Sequence, residues 1–234
     1  MMKAVCYFMT RNIYTSVLPS LKSLLKNGNI DRVYLMIEDD WPGFDLPDKV
    51  YTLNVSSWKR TFHSDGPNYG CRWSYMVMMK VVLSKIFPQM GRILSLDMDT
   101  IVTGDISGLW NLNLDNYYFA GAREWYWTNR YGRDCINAGV LMWNLDKMRD
   151  GMADTVIEAL NRKHYTFPEQ DALSDICRGK FLIMDSAYNC TEWTDKPLTE
   201  PKIIHFAAYR EKFWEQDLVN KYKDMTWSEV FSRE

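Results

Sequence analysis

The order of apolar and polar segments along the chain predicts strands that alternate with helices. An apolar run covers residues 3–9, and a second run, RVYLMI, covers residues 32–37. Between them, residues 16–26 carry apolar side chains at helical spacing, followed by an Asn-Gly-Asn stop at residues 27–29. A third strand is expected at residues 50–55. This β-α-β order favours an α/β fold with a mostly parallel sheet and right-handed crossovers.

The same alternation continues through the rest of the chain. We expect strands at residues 93–96, 117–122, 136–145, 181–184 and 203–206, and helices at residues 74–87, 104–112, 146–163 and 168–177. Asp146 is the expected N-terminal cap of the third of these helices. The methionines within residues 74–87 are interpreted as core side chains. No internal repeat or low-complexity linker divides the chain, so one domain is expected.

The strongest candidate site follows the apolar strand at residues 93–96. Asp97 and Asp99 stand at positions i and i+2, so in an extended segment both carboxylates point the same way. Open α/β sheets bind their ligands outside the carboxyl ends of the strands. Two unneutralised carboxylates repel each other there, and a divalent cation removes that cost. A solvated strand-to-turn pair is the alternative for an isolated Asp-x-Asp sequence.

His205 is the candidate third ligand of such a cation. It ends a short predicted strand, and the chain contains only three histidines. Two carboxylates and one imidazole suit Mn²⁺ or a similar ion. Neither GxGxxG nor GxxxxGK[ST] is present, so a bound nucleotide would need metal rather than a glycine-rich loop to neutralise its phosphates.

Composition narrows the classes of function. The chain has 234 residues, of which 47% are hydrophobic and 25% charged, and its formal net charge is −2 without a basic tract, so nucleic acid is not expected as a partner. Five scattered cysteines without CxxC spacing are typical of reduced thiols in a cytoplasmic protein. No apolar run approaches the ~18 residues of a membrane span. No transmembrane segment is therefore expected, and any membrane contact would be peripheral.

Aromatic residues make up 15% of the chain and include ten tryptophans, an excess that suits platforms for sugar rings or bases. The segment REWYWTNRYGRD, residues 123–134, combines aromatic and charged side chains. It has two interpretations of similar weight. Either it grips a polar acceptor, or it is a surface loop with a few anchoring rings.

Four motifs, in order and spacing, resemble those of glycosyltransferase family 8, the group of glycogenin and the bacterial lipooligosaccharide galactosyltransferases. They are RILSLDMDTIV, INAGVLMWNL, PEQDALS, and IIHF followed by Lys212 and Trp214. The resemblance extends from Val5 to about Trp214. It implies a GT-A nucleotide-diphospho-sugar transferase fold in a single domain, residues 1–234. About 1–100 would be the nucleotide-binding half, about 101–214 the sugar and acceptor half, and 215–234 a helical tail.

The resemblance further implies transfer of a hexose, of glucose or galactose type, from a UDP-sugar to a hydroxyl of a glycan or glycoconjugate. Such enzymes retain the anomeric configuration and usually use Mn²⁺, with Mg²⁺ as the other candidate. By position, the metal ligands are Asp97, Asp99 and His205, and the donor-binding residues are Thr10, Asn12, Tyr14, Lys80, Asp97, Met98, Asn137, Ala138, Gly139 and Lys212. Tyr14 would stack on uracil and Lys212 would clamp the diphosphate. Gln170 corresponds to the residue nearest the anomeric carbon, and Asp171 to a partner of the sugar hydroxyls.

Three chemical alternatives stay open at this level. Retention normally requires a carboxylate nucleophile, but residue 170 is an amide, which favours front-face attack by the acceptor over double displacement through Glu169 or Asp171. A phosphohydrolase of the haloacid dehalogenase type would instead use Asp97 as nucleophile and Asp99 as general acid. That motif usually lies near the N-terminus, unlike this one. A catalytically silent sugar-binding domain would keep the fold without turnover.

Overall fold

A computed structural model of the protein describes residues 1–194, 199–207 and 213–232. Within these ranges seven strands form one sheet in the order β3-β2-β1-β4-β7-β6-β8, and β5 pairs with β9 in a separate ribbon. The strands are β1 Ala4–Met9, β2 Arg32–Ile37, β3 Val50–Asn54, β4 Arg92–Leu96, β5 Thr100–Val102, β6 Phe119–Arg123, β7 Ile136–Asn144, β8 Phe181–Ile183 and β9 Ile203–His205. The predicted strands therefore form, each within a few residues of its expected bounds.

The central sheet is mostly parallel, as predicted. The β1–β2, β2–β3, β1–β4 and β6–β8 pairs are parallel, whereas β7 is antiparallel to both β4 and β6. Because β7 runs against β4, its first residues lie beside the carboxyl end of β4, with Leu96 opposite Val140. This reversal brings the Asn-Ala-Gly sequence at the start of β7 next to Asp97, whose backbone N–H donates to the carbonyl of Gly139 over 2.8 Å.

The sheet is buried on both faces, and the alternation of side chains along each strand divides the core into two layers. In β1, Ala4, Cys6 and Phe8 face one layer, and Val5, Tyr7 and Met9 face the other. The first layer is filled by residues 75–83 and by α5 and α6, defined below, and the second by α1. A strand covered on both faces is apolar throughout, which explains the continuous hydrophobic run of β1.

Helices flank the sheet on both sides. The α-helices are α1 Leu18–Asn27, α2 Leu83–Ile86, α3 Trp125–Tyr131, α4 Leu145–Lys147, α5 Ala153–Arg162, α6 Pro168–Ile176, α7 Asp217–Asp224 and α8 Trp227–Phe231. The 3₁₀ helices are Arg11–Val17, Ser56–Thr61, Tyr75–Val82, Ser107–Asn111, Ser186–Tyr188 and Phe213–Glu215. None of the helices in the described ranges has the length and hydrophobicity needed to cross a membrane. All five cysteines are free thiols.

Two helix predictions were wrong in detail. The predicted helix at residues 74–87 is α-helical only at Leu83–Ile86 and is a 3₁₀ helix at Tyr75–Val82, where nearly every side chain is buried and packing sets the backbone geometry. The predicted helix from Asp146 is capped by Asn144 instead, whose side chain accepts from the N–H of Lys147. That helix is also interrupted near Gly151, whose φ of +93° lies in the region that only glycine adopts readily.

Candidate functional site

The three predicted metal ligands converge at the carboxyl end of β4. One ligand atom from each of Asp97, Asp99 and His205 lies within 4.8 Å of the other two. Nε2 of His205 is 3.2 Å from Oδ1 of Asp99 and 3.8 Å from Oδ2 of Asp97. Two carboxylates and one imidazole can share a divalent cation such as Mn²⁺. This donor set therefore fits the predicted metal.

The ribbon of β5 and β9 brings His205 to the acids. Thr100, the residue after Asp99, pairs with His205 across the ribbon, and the N–H of Phe206 donates to the carbonyl of Asp99 over 2.9 Å. These backbone contacts join segments that are far apart in sequence. They hold the imidazole, which is 2% exposed, against the partly exposed acids.

The turn that carries the acids is held from beneath by buried hydroxyl groups. The Thr100 hydroxyl donates to the carbonyl of Asp97 over 2.8 Å. It also lies 2.9 Å from the hydroxyl of Ser20, which in turn lies 2.9 Å from the hydroxyl of Tyr7. Because the Thr100 hydroxyl donates its one proton to the Asp97 carbonyl, the Ser20 hydroxyl must donate to the oxygen of Thr100. The turn is thereby tied to both α1 and β1.

Lys80 is a buried cation between two carboxylates. Its Nζ donates to Asp97 Oδ1 over 2.6 Å, to the Ala138 carbonyl over 2.9 Å and to Glu169 Oε1 over 3.4 Å. Burial alone lowers the pKa of Lys80, but Asp97 and Glu169 outweigh it and raise the pKa, so this side chain is charged. Burial raises the pKa of Glu169, and Lys80 only partly offsets that effect.

Asp99 and the imidazole of His205 shift each other's pKa. Burial raises the pKa of Asp99, but the imidazole of His205 outweighs it and the pKa is lowered. Burial lowers the pKa of His205, but Asp99 and Asp97 outweigh it and the pKa is raised. Metal ligation requires the neutral imidazole, so a proton on Nε2 would compete with the cation.

The Asn-Ala-Gly sequence, expected to contact the sugar, has its side chains turned into the protein. Asn137 Nδ2 donates to Glu124 Oε2 over 3.0 Å, and Asn137 Oδ1 accepts from the N–H of Gly139 over 3.0 Å. A Cβ atom on Gly139 would lie 2.0 Å from Cε1 of His205. The space that this glycine leaves is therefore occupied by the imidazole.

The first turn of helix α6 faces the site. Its three polar residues, Glu169, Gln170 and Asp171, each have a different hydrogen-bond partner. Gln170 Oε1 accepts from the N–H of Ala138 over 3.1 Å. Asp171 Oδ2 accepts from the N–H of Phe167 over 2.9 Å and is thus occupied at the helix N-terminus. Glu169 instead faces Lys80. Sequence reasoning named Glu169 only as an alternative nucleophile and not as a partner of Lys80, although an acid directly before Gln170 at a helix N-terminus was the available signal.

The predicted uridine contacts follow β1, which neighbours β4. The hydroxyl of Thr10 donates to Asn12 Oδ1. The ring of Tyr14 packs against those of Trp41 and Phe44, with centroid distances of 5.3 Å and 6.1 Å. Met98 lies between the two acids and is partly buried against the core layer that contains α1. Lys212, the predicted diphosphate clamp, lies outside the described residues.

Four rings lie along the surface beside α6, and we call them the aromatic surface: Trp73, Trp127, Tyr131 and Phe167. Phe167, immediately before α6, lies 5.3 Å from Trp73 and 5.7 Å from Trp127, measured between ring centroids. Tyr131 stacks on Trp127 at 5.3 Å with an interplanar angle of 13°. The segment of residues 123–134 is thus largely the exposed helix α3 and not a loop, and its role in gripping an acceptor stays a prediction.

Two arginines border the aromatic surface. The guanidinium of Arg72 lies 5.5 Å from the Trp73 ring centroid, and that of Arg130 lies 5.7 Å from the Trp127 centroid. Within the part of the chain that the structure describes, neither arginine forms an ion pair with a carboxylate. Their charges are therefore available at the edge of the rings.

The family model named "Glycosyl transferase family 8" matches residues 44–217, which is well over half of the chain. The chain belongs to glycosyl transferase family 8. Membership in this family of sugar-transferring enzymes excludes the haloacid dehalogenase interpretation of the Asp97–Asp99 motif.

Curated relatives of this family 8 chain are bacterial and longer. It is 26% identical to "Glycosyltransferase GlyA" of Streptococcus pneumoniae serotype 4, over 96% of this chain and 34% of that protein. It is also 26% identical to a "Putative glycosyltransferase" of Haemophilus influenzae, over 56% of this chain and 46% of that protein. The chain thus corresponds to between about a third and a half of the length of these relatives.

Solved structures agree on the fold of this family 8 chain. The crystal structure of the glycosyltransferase GlyE of Streptococcus pneumoniae TIGR4 superposes with a TM-score of 0.73, at 20% identity, over 98% of this chain and 62% of that one. The galactosyltransferase LgtC, solved in complex with donor and acceptor sugar analogs, gives a TM-score of 0.66 at 15% identity, over 96% and 98% of the two chains. The predicted GT-A fold is confirmed.

Proposed function

We propose that this family 8 chain is a metal-dependent retaining glycosyltransferase that moves a hexose, of glucose or galactose type, from a UDP-sugar to a hydroxyl of a glycan or glycoconjugate. The observation that carries the proposal is the cluster of Asp97, Asp99 and His205, whose ligand atoms lie within 4.8 Å of one another at the carboxyl end of a sheet strand. The ligand types suit Mn²⁺, with Mg²⁺ as the alternative.

Different residues of the chain would bind different parts of the donor. Thr10, Asn12 and Tyr14 follow β1 and would contact the uridine. The metal, held by the cluster, would supply a Lewis acid that stabilises the charge developing on the diphosphate leaving group. Lys212 is proposed as a further cation beside the diphosphate.

Lys80, Glu169 and Gln170 would hold the transferred sugar. Lys80 is already bound to Asp97 and Glu169, so it links the metal cluster to α6. Glu169, which faces Lys80, is the carboxylate we add to the sugar-binding set. Asp171 remains the proposed partner of the sugar hydroxyls, and its Oδ2 also accepts from the backbone N–H of Phe167. Asn137, Ala138, Gly139 and Met98 complete the wall of the donor site.

Front-face attack by the acceptor hydroxyl is the proposed route to retention. Gln170 carries an amide, a poor nucleophile, and its Oε1 is held by the N–H of Ala138. Glu169 forms an ion pair with Lys80, which lowers its reactivity as a nucleophile. Gln170 therefore serves as electrostatic support beside the anomeric carbon. Trapping a covalent sugar on Glu169 or Asp171 by mass spectrometry would instead establish double displacement.

The aromatic surface is the proposed acceptor platform. Aromatic rings stack on the apolar faces of sugars, and their rigidity costs little entropy on binding. Phe167 connects the surface to the helix that carries Glu169 and Gln170, so an acceptor on these rings would lie beside the donor sugar. The bordering Arg72 and Arg130 would suit an acceptor with hydroxyl-rich or anionic groups.

Residues 1–234 would act as one GT-A unit, with the nucleotide half at about 1–100, the sugar and acceptor half at about 101–214 and the helical tail at 215–234. The free thiols agree with the prediction of a cytoplasmic protein, and peripheral membrane contact stays a prediction.

The decisive experiment is incubation with a panel of UDP-sugars and Mn²⁺, with and without a chelator. UDP release that requires metal, and product formation that requires a glycan acceptor, would support the proposal. Absence of turnover across the panel, with donor binding retained, would instead support the silent sugar-binding domain. UDP release unaffected by chelator would overturn the metal dependence.

A further inference from the structure

A chain of side-chain hydrogen bonds runs from the partly buried Glu124 through two buried asparagines to His205. Glu124 Oε2 accepts from Asn137 Nδ2 over 3.0 Å, and Asn137 Oδ1 lies 2.9 Å from Asn189 Nδ2. Asn189 Oδ1 in turn lies 2.9 Å from Nδ1 of His205. Both asparagines and the histidine are buried, and Asn189 is only 1% exposed. None of these contacts uses the face of His205 that points toward the acids.

The direction of this hydrogen-bond chain follows from one backbone group. The N–H of Gly139 can only donate, and it donates to Asn137 Oδ1 over 3.0 Å. The other end of that amide, Nδ2, therefore faces Glu124, whose carboxylate accepts. Since Asn137 presents an oxygen to Asn189, Asn189 must present its NH₂ in return.

The same reasoning sets the proton of the imidazole. With its NH₂ directed at Asn137, Asn189 offers its oxygen to His205, so Nδ1 of His205 must carry the proton. In the neutral imidazole Nε2 then bears the free lone pair, and Nε2 is the atom 3.2 Å from Asp99. Ligands on metals depend on such outer hydrogen bonds for their orientation and tautomer.

We propose that Asn189 is a positioning residue that fixes the Nδ1-protonated tautomer of His205, with Asn137 and Glu124 fixing the orientation of Asn189. The Asn-Ala-Gly sequence accordingly serves the metal ligand: its asparagine and its glycine N–H set the direction of the hydrogen bonds, and the missing Cβ leaves room for the ring. This inference rests on the proposed metal-dependent function.

The first test is the tautomer itself, measured by nitrogen-15 NMR on the metal-free full chain at alkaline pH, where the imidazole is neutral. The chain has three histidines, and His63→Gln and His164→Gln variants assign the remaining signals to His205. We expect the proton on Nδ1 in the wild-type protein and its transfer to Nε2 in Asn189→Ala. A proton on Nε2 with Asn189 in place would overturn the proposal, whatever the Asn189→Ala variant shows.

The second test is Mn²⁺ affinity, followed by electron paramagnetic resonance of free Mn²⁺. Asn189→Ala should weaken binding by roughly 10- to 100-fold. Asn189→Asp still accepts from Nδ1 but turns an acceptor oxygen toward Asn137 Oδ1, so it should keep the tautomer and recover only part of the affinity. The matched control is Asn68→Ala, since Asn68 is also 1% exposed and hydrogen-bonded but lies against Leu160 and Lys163 instead. The control should lose stability without losing Mn²⁺ affinity.

The outcomes separate this inference from the proposed function. If the wild-type protein binds no Mn²⁺ and releases no UDP, the proposed function fails, while the tautomer measurement still decides the role of Asn189. If the wild-type protein binds Mn²⁺ and Asn189→Ala binds it equally well with an unchanged tautomer, the inference fails alone.

Discussion

Gly139 lies so close to the ring of His205 that residue 139 has no room for a side chain. A Cβ atom there would lie 2.0 Å from Cε1 and 2.5 Å from Nδ1 of the imidazole. Gly139→Ala should therefore push the ring away from Asp99, since the neighbouring strand β4 prevents the backbone from yielding. Overpacking of this kind costs about 1–3 kcal/mol of stability. We expect at least a roughly tenfold loss of Mn²⁺ affinity, in line with the loss of ligand orientation, measured by titration.

Gly70→Ala is the matched control for that substitution. A Cβ atom on Gly70 would meet no atom within 4 Å, and its φ is not positive. The control should bind Mn²⁺ like the wild-type protein. Equal Mn²⁺ affinity in Gly139→Ala would contradict the argument that the glycine is needed for His205.

Asp99 should be indispensable for turnover of a UDP-sugar. Asp99→Asn removes one negative oxygen from the cluster and leaves a neutral amide facing Nε2 of His205. Because a metal contributes several kcal/mol of charge stabilisation, we expect at least about a 100-fold fall in UDP release, which corresponds to about 2.7 kcal/mol. Excess Mn²⁺ should partly restore it. Asp154→Asn, at an exposed ion pair with Lys85, is the control and should keep full activity.

Glu169 should make stability depend on pH. Burial raises the pKa of its carboxyl above the unfolded value of about 4.3. Between these two pH values the folded protein binds this proton more tightly than the unfolded chain does. The contribution of the Glu169 carboxyl to stability is therefore fully present below about pH 4.3 and is lost as pH rises through the folded pKa. The free energy of unfolding of Glu169→Gln, relative to wild type, should therefore increase with pH across that interval.

Urea denaturation at several pH values measures this difference. Glu158→Gln, at an exposed glutamate of α5, is the control. A difference between Glu169→Gln and wild type that falls with rising pH would show that Lys80 dominates over burial at residue 169. Transfer activity should fall in the same variant at every pH, because the proposed sugar contact is lost.

Tyr131 should contribute to binding of the acceptor but not to binding of the donor. Its ring is 51% exposed and stacks on Trp127. Since a stacking contact is worth about 0.5–1.5 kcal/mol, Tyr131→Ala should raise the KM for a glycan acceptor roughly two- to tenfold. Hydrolysis of the UDP-sugar without acceptor should be unchanged. Tyr51→Ala removes a ring that is 42% exposed on the far edge strand β3, and it should alter neither value.

Local pattern was enough to predict eight of the nine strands of the described residues and the position of the acids, but it missed the short strand β5, Thr100–Val102, which pairs with His205. The apolar run of β4, followed directly by Asp97 and then by Asp99, indicates a buried strand that ends at a site. This pattern lies within a few consecutive residues and does not depend on contacts with distant segments. The stop of α1 near Gly28 is equally local. Helix geometry was less predictable: packing of buried side chains made Tyr75–Val82 a 3₁₀ helix, and Gly151 interrupted the helix expected from Asp146.

By itself, the sequence determined an α/β chain with a mostly parallel sheet, two carboxylates at a strand end and a histidine suited to join them. Only the tertiary structure decided that β7 runs antiparallel, that Glu169 rather than Asp171 faces Lys80, and that Asn189 supports His205. The physical reason is that residue type and periodicity act within a few positions of the chain. Hydrogen-bond direction and steric room depend on which distant segments become neighbours.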